Sequence, residues 1–369
     1  MRKQHGLLLL TGLAAITILT GCGGGADNTG EIAVVTDVGS LKDGGFNEGT
    51  YNGAKNYAEK NGKTYKYYQP ANGSDATDDD RIAAMTLAVE NGAKVIVAPG
   101  YLQATAMKTV ATNYPEVKFI FVDGWALGLD NVTAITYKEQ EAGFMAGYAA
   151  YAEGYRKLGG TFGGGGSNPA CNRFAYGYVQ GINAAALAEN GTEAEVKISY
   201  KYGNGFSATT ELQTQISSWY QAGTEVVFSC GGSMVQSVIS AANSYTNAKI
   251  IGVDTDQSSL SPKIITSATK GLAVSVEKIL GEFYGGEWDS KLANKASNLG
   301  ASDNATGLPT NDESWRFTKF TKEQYNTLFK GISDGTIKIV AETPEDCNLE
   351  AVWNVFDVAL TKTKITLEE

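Results

Sequence analysis

The sequence predicts an α/β protein with two doubly wound lobes, each built on a parallel sheet. Three observations predict this class. From residue 31 onward, short runs rich in apolar and β-branched residues alternate with amphipathic stretches of helical length. This alternation starts again near residue 157, after a first series that ends near residue 137. The chain has 369 residues, of which 43% are hydrophobic and 19% charged, and this is enough for two folded domains.

The N-terminus has the layout of a secretory leader. Arg2 and Lys3 precede an apolar run over residues 7–19, which is shorter than the ~20 residues of a membrane-spanning helix. The run ends in Leu-Thr-Gly-Cys, which resembles the bacterial lipobox, where the cysteine is lipidated and becomes the new N-terminus. We predict a signal peptide over 1–21 and lipid on Cys22, which would hold the protein on the extracytoplasmic face of the cell membrane. A plain signal peptide with an incidental cysteine is the alternative.

Two series of strands and helices follow a Gly-rich, flexible tether over residues 22–30. The first series of strands is predicted at 32–37, 64–69, 95–98, 119–122 and 132–137, and the second at 157–162, 196–200, 226–229, 249–253 and 264–267. Helices are predicted between them at 49–60, around 82–89, and at 174–190, 212–222, 235–244 and 272–283. Because strands joined by helices of this length form right-handed crossovers, each series predicts a parallel sheet.

The residues that directly follow the strands are the candidates for a binding site, because ligands of open α/β sheets bind beyond the strand C-termini. These segments are 37–47, 99–101, 123–124, 163–166, 203–206, 231–232 and 254–256. They contain glycines, two phenylalanines and several carboxylates, namely Phe46, Phe206, Asp37, Asp43, Asp123, Asp254 and Asp256. Taken singly, each has an ordinary structural explanation, since aspartates after strands often cap helices and phenylalanines pack in cores.

This set of residue types predicts the chemistry of the ligand. An aromatic ring from each lobe can sandwich a flat ring system, and carboxylates accept hydrogen bonds from hydroxyl and ring N–H groups. Glycines let the backbone approach a ligand closely. Because so many acids would repel a phosphate, a flat, donor-rich, uncharged or cationic ligand is favoured, and a nucleoside fits better than a nucleotide. The glycines at 163–166 lack the pattern of a phosphate-binding loop.

Composition excludes several classes of function. The only histidine, His5, lies in the predicted leader, which argues against Ser-His-Asp and Cys-His catalysis and against the usual zinc sites. The net charge of −10 argues against nonspecific binding to nucleic acid. No cofactor or metal is predicted. An enzyme that uses paired aspartates, Asp37 with Asp123 or Asp254 with Asp256, remains an alternative.

The cysteines beyond the leader give two expectations. Cys230 lies in an apolar run and is expected to be a buried, inert thiol. Cys171 and Cys347 lie in loop-like segments and could pair in an oxidising compartment. Spacing alone does not decide whether they do.

Several motifs in a fixed order carry a family resemblance. They are DVGSLKDGGFN at 37–47, FVDG at 121–124, EQEAGFMAG at 139–147, GYVQG at 177–181, GVDTDQ at 252–257 and TSATK at 266–270. Together they resemble the basic membrane protein family of bacterial lipoproteins, which are nucleoside-binding components of ABC importers. The resemblance covers nearly the whole chain after the leader. It implies a type I periplasmic-binding-protein fold, with two lobes, three crossovers and a cleft that closes on its ligand.

The resemblance also implies roles on the base side of the ligand. Phe46 matches one of two phenylalanines that stack on the purine in relatives, and Phe206 is expected to be the other. Asn47 and Asp123 match positions that hydrogen-bond the base.

The remaining implied binding residues lie on the sugar side. Asp254 and Lys270 match positions near the ribose hydroxyls, and Asp37 lies beside the same pocket. Gly231 and Gly232 are expected to line this side of the cleft.

The sequence therefore predicts a lipid-anchored, monomeric receptor that captures a nucleoside, with purine favoured, for an ABC permease and its ATPase. Lobe 1 is predicted over 31–137 plus 258–286, and lobe 2 over 138–257 plus 287–369. A receptor of the same fold for a sugar or signalling molecule is the first alternative. An aspartate-based nucleoside hydrolase is the second.

Overall fold

The computed structural model describes residues 30–38, 40–200, 205–341 and 360–368. The predicted leader, most of the tether, the lipidation site Cys22 and the thiol of Cys347 lie outside these residues. Among the described residues, no helix combines the length and the apolar character that crossing a membrane requires.

The described strands form two sheets. In chain order they are β1 (Ile32–Val35), β2 (Tyr65–Tyr68), β3 (Val95–Pro99), β4 (Lys118–Val122), β5 (Val132–Tyr137), β6 (Lys157–Phe162), β7 (Ala194–Ser199), β8 (Val226–Cys230), β9 (Lys249–Asp254), β10 (Ile264–Lys270), β11 (Ala296–Leu299), β12 (Thr306–Gly307) and β13 (Thr363–Glu368). The first sheet has the order β11-β5-β4-β3-β1-β2 and the second β12-β10-β9-β8-β6-β7-β13. All neighbours are parallel except β10 and β12, so the predicted α/β class with two parallel-sheet lobes is confirmed.

Helices cover both faces of each sheet. The α-helices of the described residues are α1 (Phe46–Lys60), α2 (Asp78–Glu90), α3 (Ala104–Asn113), α4 (Glu139–Glu153), α5 (Pro169–Ala188), α6 (Thr210–Gln221), α7 (Val235–Ala242), α8 (Leu272–Tyr284) and α9 (Lys322–Ser333). Alternate residues of β1 enter different cores, as strand geometry requires. Ile32 and Val34 pack in the core that contains α1 and α8, whereas Ala33 and Val35 pack in the core of α2 and α3.

Helices α4 and α5 pack unusually close together. Cβ atoms built on Gly143 of α4 and on Gly177 of α5 would clash with the backbone carbonyls of Phe174 and Gln140, respectively. Only glycine allows this approach, because any side chain at these positions would push the helices apart. The contact brings together the first turns of two helices that both begin near the strand C-termini.

Two of the three crossovers differ from the predicted boundaries. Strand β10 was predicted in lobe 1, but it pairs with β9 in the second sheet. Strand β11, in the segment predicted for lobe 2, pairs with β5 in the first sheet. The chain therefore crosses after Lys270 and again between Leu299 and Thr306. The prediction failed because alternation shows that a strand exists but not which edge it joins, and the loop 255–263 holds no α-helix between β9 and β10.

The corrected boundary also explains the position of α8. Leu272, Val276 and Leu280 recur at a helical spacing and are buried in the core shared with α1, so α8 belongs to lobe 1 although the strand before it belongs to lobe 2. Lys270, the last residue of β10, is thus the last residue of lobe 2 before the chain crosses to lobe 1.

Candidate ligand-binding site

A cavity of about 270 Å³ lies where the C-terminal edges of the two sheets face each other. All nine residues that were predicted to bind ligand line it: Asp37, Phe46, Asn47, Asp123, Phe206, Gly231, Gly232, Asp254 and Lys270. Asp43 lines it too, whereas Asp256 is absent from its walls and accepts hydrogen bonds from Asn311 and the Ser258 N–H. The structure therefore places these nine residues, from six separate segments of the sequence, around one space, and their role in binding stays a prediction.

The lobe 1 wall is organised by a capped helix. The buried Asp43 carboxylate accepts hydrogen bonds from the backbone N–H groups of Gly45 (2.8 Å), Asn47 (2.9 Å) and Glu48 (3.2 Å) at the start of α1. An acceptor at this place satisfies N–H groups that have no partner inside the helix. Burial nevertheless raises the pKa of Asp43, against these hydrogen bonds. Asp43 thus takes the structural role, and it fixes Phe46 and Asn47 at the cavity.

The lobe 2 wall holds Phe206 against glycines. A Cβ atom built on Gly163 would lie 2.5 Å from Cε1 of Phe206, and one on Gly231 would lie 3.1 Å from Cδ1. A Cβ atom on Gly232 would lie 2.6 Å from the Phe206 carbonyl oxygen. The resemblance assigned Gly231 and Gly232 to the sugar side. In the structure both glycines contact Phe206, and the position of Phe206 is possible only because they have no side chains.

Two aspartates at strand ends adopt backbone conformations that few side chains tolerate. Asp123 follows β4 with φ of 57°, and Asp254 ends β9 with φ of 65°. Left-handed backbone is uncommon outside glycine, and aspartate and asparagine tolerate it best. Nearby, the Asp37 carboxylate packs directly on Gly100, where no Cβ atom would fit. Residues held in such conformations cluster at functional sites, so this geometry supports a role at the cavity.

A buried ionic network joins the two walls. The Lys270 ammonium lies 2.6 Å from Asp123 Oδ2, 3.4 Å from Asp254 Oδ1 and 3.7 Å from Glu139 Oε1. It also lies 4.7 Å from the centroid of the Phe46 ring. Only 2% of the Lys270 side chain is exposed. Since Asp123 belongs to lobe 1 and Lys270 to lobe 2, this pair is an ionic contact across the cleft.

The network shifts the protonation of its members in opposite directions. Burial raises the pKa of Asp123 to about 6, although the Lys270 ammonium opposes the rise. Burial likewise raises the pKa of Asp254. Burial alone would lower the pKa of Lys270, but the carboxylates of Asp123, Asp254 and Glu139 outweigh it and hold that pKa well above its usual value. Lys270 is therefore a fixed positive charge, while burial brings the pKa of Asp123 up to about 6.

Glu139 and Arg173 are site residues that the sequence analysis did not select. The Glu139 carboxylate is fully buried and accepts a hydrogen bond of 2.6 Å from Arg173 Nε, and Arg173 lines the cavity. Burial would lower the pKa of Arg173, but Glu139 outweighs that effect and raises it. Glu139 lies two residues after the end of β5 at Tyr137. The expectation that binding residues directly follow strands could therefore have found it. Arg173 lies in the first turns of α5 and carried no such signal.

Two aromatic residues complete the walls. Tyr101, which belonged to a post-strand segment but was not selected, lines the cavity. Burial raises the pKa of Tyr101. Trp125, in the loop after β4, also lines the cavity, yet half of it is exposed.

The described cysteines are unpaired thiols. Cys230 is buried, which confirms the expectation for it, and burial raises its pKa well above the usual value. Cys171 is buried beside it, with its sulfur 3.8 Å from the Cys230 carbonyl oxygen. The possible pairing of Cys171 with Cys347 falls outside the described residues. Within the described part of the chain, no group of three or more metal-binding side chains could hold a metal ion.

The chain is similar over most of its length to known bacterial and archaeal proteins. It is 28% identical over 342 residues to the ABC transporter nucleoside-binding protein BmpA of Lactococcus lactis, with 83% of this chain and 93% of that protein covered. It is 27% identical over 370 residues to an uncharacterized lipoprotein of Pyrococcus abyssi, with 96% and 89% covered.

Solved structures share the architecture. An ABC transporter solute-binding protein from Aeropyrum pernix K1 superposes with a TM-score of 0.71 at 23% identity, over 85% of this chain and 94% of that chain. A periplasmic binding protein/LacI transcriptional regulator from Alkaliphilus metalliredigens, complexed with D-xylulofuranose, gives a TM-score of 0.52 at 15% identity, over 76% and 97%. These likenesses confirm the predicted type I periplasmic-binding-protein fold.

A family model described as an ABC transporter substrate-binding protein, PnrA-like, matches residues 31–343. The match spans both lobes and the cavity between them. Proteins of this kind bind a small molecule for a permease and its ATPase and do not transform it, so the hydrolase alternative is rejected. The chain belongs to the Bmp family of ABC transporter substrate-binding proteins.

Proposed function

We propose that this protein captures a nucleoside, preferentially a purine nucleoside, in the interlobe cavity and presents it to an ABC permease. The observation that carries the proposal is that an aromatic ring from each lobe, Phe46 and Phe206, lines the same cavity among carboxylates. Two rings on opposite walls suit a flat heterocycle, and each stacked aromatic contributes about 1–3 kcal/mol to the binding of a base. The cavity of about 270 Å³ is near the lower end of the ~300–1,000 Å³ range of small-molecule pockets.

Buried acceptors without donors support a ligand rich in N–H and O–H groups. Among the described residues, Asn47 Oδ1 and Asp123 Oδ1 are buried and have no hydrogen-bond partner. A buried polar atom left unpaired costs about 1–3 kcal/mol. A purine N–H or amino group that donates to these oxygens would remove this cost.

The charge of the walls supports a nucleoside over a nucleotide. The side chains of Asp37, Asp43, Asp123 and Asp254 line the cavity, against two cations that already have carboxylate partners. A phosphate would meet an excess of negative charge. The name of the Lactococcus lactis relative, a nucleoside-binding protein, points the same way.

The proposal includes an anchor on the extracytoplasmic side of the membrane. The lipobox-like sequence before Cys22 supports it, and three archaeal relatives are named lipoproteins. Expression of the full chain and of Cys22→Ser in a bacterial host, followed by membrane fractionation and mass spectrometry, tests this part. We expect acyl chains on Cys22 and loss of membrane association in the variant.

Calorimetric titration of the purified protein tests the ligand. We expect guanosine, adenosine or inosine to bind with micromolar or tighter Kd, which corresponds to about −8 kcal/mol or more. Pyrimidine nucleosides, nucleoside monophosphates, free bases, ribose and D-xylulose serve as comparisons. A flat trace for every nucleoside, together with binding of a sugar, would refute the proposed ligand and leave the family assignment intact.

A further inference from the structure

The two cations of the cavity walls have different closest carboxylate partners. Lys270 faces Asp123 and Asp254 at 2.6 and 3.4 Å, and Glu139 is its most distant partner at 3.7 Å. Arg173 instead has Glu139 as its close partner, at 2.6 Å. Arg173 retains 21% of its side-chain exposure and lines the cavity, whereas Glu139 has none. The guanidinium thus reaches the ligand space while its counter-charge lies behind it.

We propose that Glu139 is a specificity-determining residue that excludes phosphorylated ligands by neutralising Arg173. A guanidinium group is well suited to phosphate, because its planar donors match the oxygens in pairs. Left without Glu139, Arg173 would be such a donor at the wall of the cavity. With Glu139 bound to it, one donor is occupied and its charge is balanced. Glu139 therefore acts through Arg173 and does not itself contact the ligand.

The packing of α4 on α5 holds this pair in place. The glycine contacts of Gly143 and Gly177 bring the N-terminal halves of the two helices together, and Glu139 and Arg173 lie in those halves. A side chain at either glycine would separate the helices. The pairing therefore follows from backbone approach and does not require ligand.

Neutral substitution of Glu139 tests the inference. Glu139→Gln keeps the shape of the side chain and frees the charge of Arg173. Glu141→Gln is the matched control, because Glu141 is also buried on α4 but bonds Ala301 N and Thr306 Oγ1 away from the cavity walls. Glu139→Asp retains the charge, and the double variant E139Q/R173Q removes both partners.

The first readout is the thermal unfolding midpoint in increasing inorganic phosphate, at constant ionic strength. We expect a phosphate-dependent rise for E139Q and none for the unaltered protein, E141Q, Glu139→Asp or the double variant. The rise should weaken with added NaCl, since salt screens partly exposed charges. If E139Q does not fold, Glu139→Ser is measured in its place with the same expectation.

The second readout compares guanosine with guanosine 5′-monophosphate by calorimetry, and this arm rests on the proposed function. We expect E139Q to raise the affinity for the monophosphate relative to guanosine by about tenfold or more, as a charge-assisted pair would. The inference is overturned if folded E139Q, or Glu139→Ser in its place, shows no phosphate-dependent rise in unfolding midpoint. It is also overturned if that rise persists in E139Q/R173Q. If the unaltered protein binds no nucleoside, the proposed function fails, and the phosphate arm still decides the role of Glu139.

Discussion

The two walls of the cavity differ in charge and in how they hold their aromatic ring. The carboxylate side chains that lobe 1 places on the cavity are those of Asp37, Asp43 and Asp123, and lobe 1 contributes no Lys or Arg to the described lining. Lobe 2 supplies both cations of the lining, Lys270 and Arg173. Closing the cleft therefore brings a negative wall against a wall that contains positive charge, and the Asp123–Lys270 pair is where they meet.

The rings differ in their support. Phe46 is held by a helix whose first turn is capped by Asp43, which is a polar, directional support. Phe206 is held by glycines that leave room for its ring, which is a support by shape. Equivalent rings on opposite walls should therefore respond to different mutations, the Phe46 ring to loss of the helix cap and the Phe206 ring to loss of a glycine.

Removal of the charge that joins the walls should have the largest effect. Lys270→Met leaves the buried carboxylates of Asp123 and Asp254 without their cation, whereas Glu139 keeps Arg173, and breaking a buried pair costs about 3–5 kcal/mol. We expect that loss in the free energy of unfolding, measured by urea denaturation, and loss of ligand binding. Lys330→Met, at an exposed pair with Asp334, is the control and should change stability by under about 1 kcal/mol. Equal effects of the two variants would contradict the network.

Removal of the lobe 2 ring should weaken binding without a large loss of stability. Phe206→Ala is expected to cost about 1–3 kcal/mol of nucleoside affinity, about tenfold or more, because one stacking surface is lost. Calorimetry measures the affinity and thermal unfolding measures the stability. Gly163→Ala retains the ring but pushes on it, since its Cβ atom would lie 2.5 Å from Cε1 of Phe206. An unchanged affinity in both variants would remove Phe206 from the site.

Loss of the helix cap should affect lobe 1 in stability and binding together. Asp43→Ala removes the acceptor of three N–H groups and should cost about 0.5–2 kcal/mol of unfolding free energy. Affinity should fall as well, because Phe46 and Asn47 lie on the loosened turn. Thr321→Ala removes the cap of α9, which accepts from Gln324 N away from the cavity, so it should destabilise without changing affinity. Similar affinity losses in both variants would mean that the cap has no local role.

Acidic pH should give the smallest effect. The pKa of Asp123 is raised to about 6 by burial, so its carboxylate is charged above that pH and protonated below it. A ligand that donates to Asp123 prefers the charged form, and affinity should therefore fall as pH decreases from 7 to 5, by up to about tenfold. Titrations at several pH values measure this, with Asp123→Asn as the control that should remove the dependence. A flat profile would show that Asp123 does not accept from the ligand.

Much of the site could be predicted from sequence because it follows from one rule of sheet geometry. The C-terminal ends of parallel strands share an edge, so the residues after Val35 and Val122 had to lie at one edge of the first sheet, and those after Cys230 and Asp254 at one edge of the second. The role of Asp43 could not be read in the same way. A carboxylate after a strand can cap a helix or face a ligand. Only the three backbone N–H groups that donate to Asp43 in the structure identify it as a helix cap.

The sequence by itself determined the α/β class and the segments that follow the strands, because periodicity and strand ends are local properties. The family resemblance came from separate, ordered motifs. Tertiary structure alone decided that β10 joins the second sheet and β11 the first, since strand pairing depends on distant partners. It also decided that Glu139 meets Arg173, because their contact depends on how closely two helices approach. Local pattern specifies which groups are available, and long-range packing specifies which of them touch.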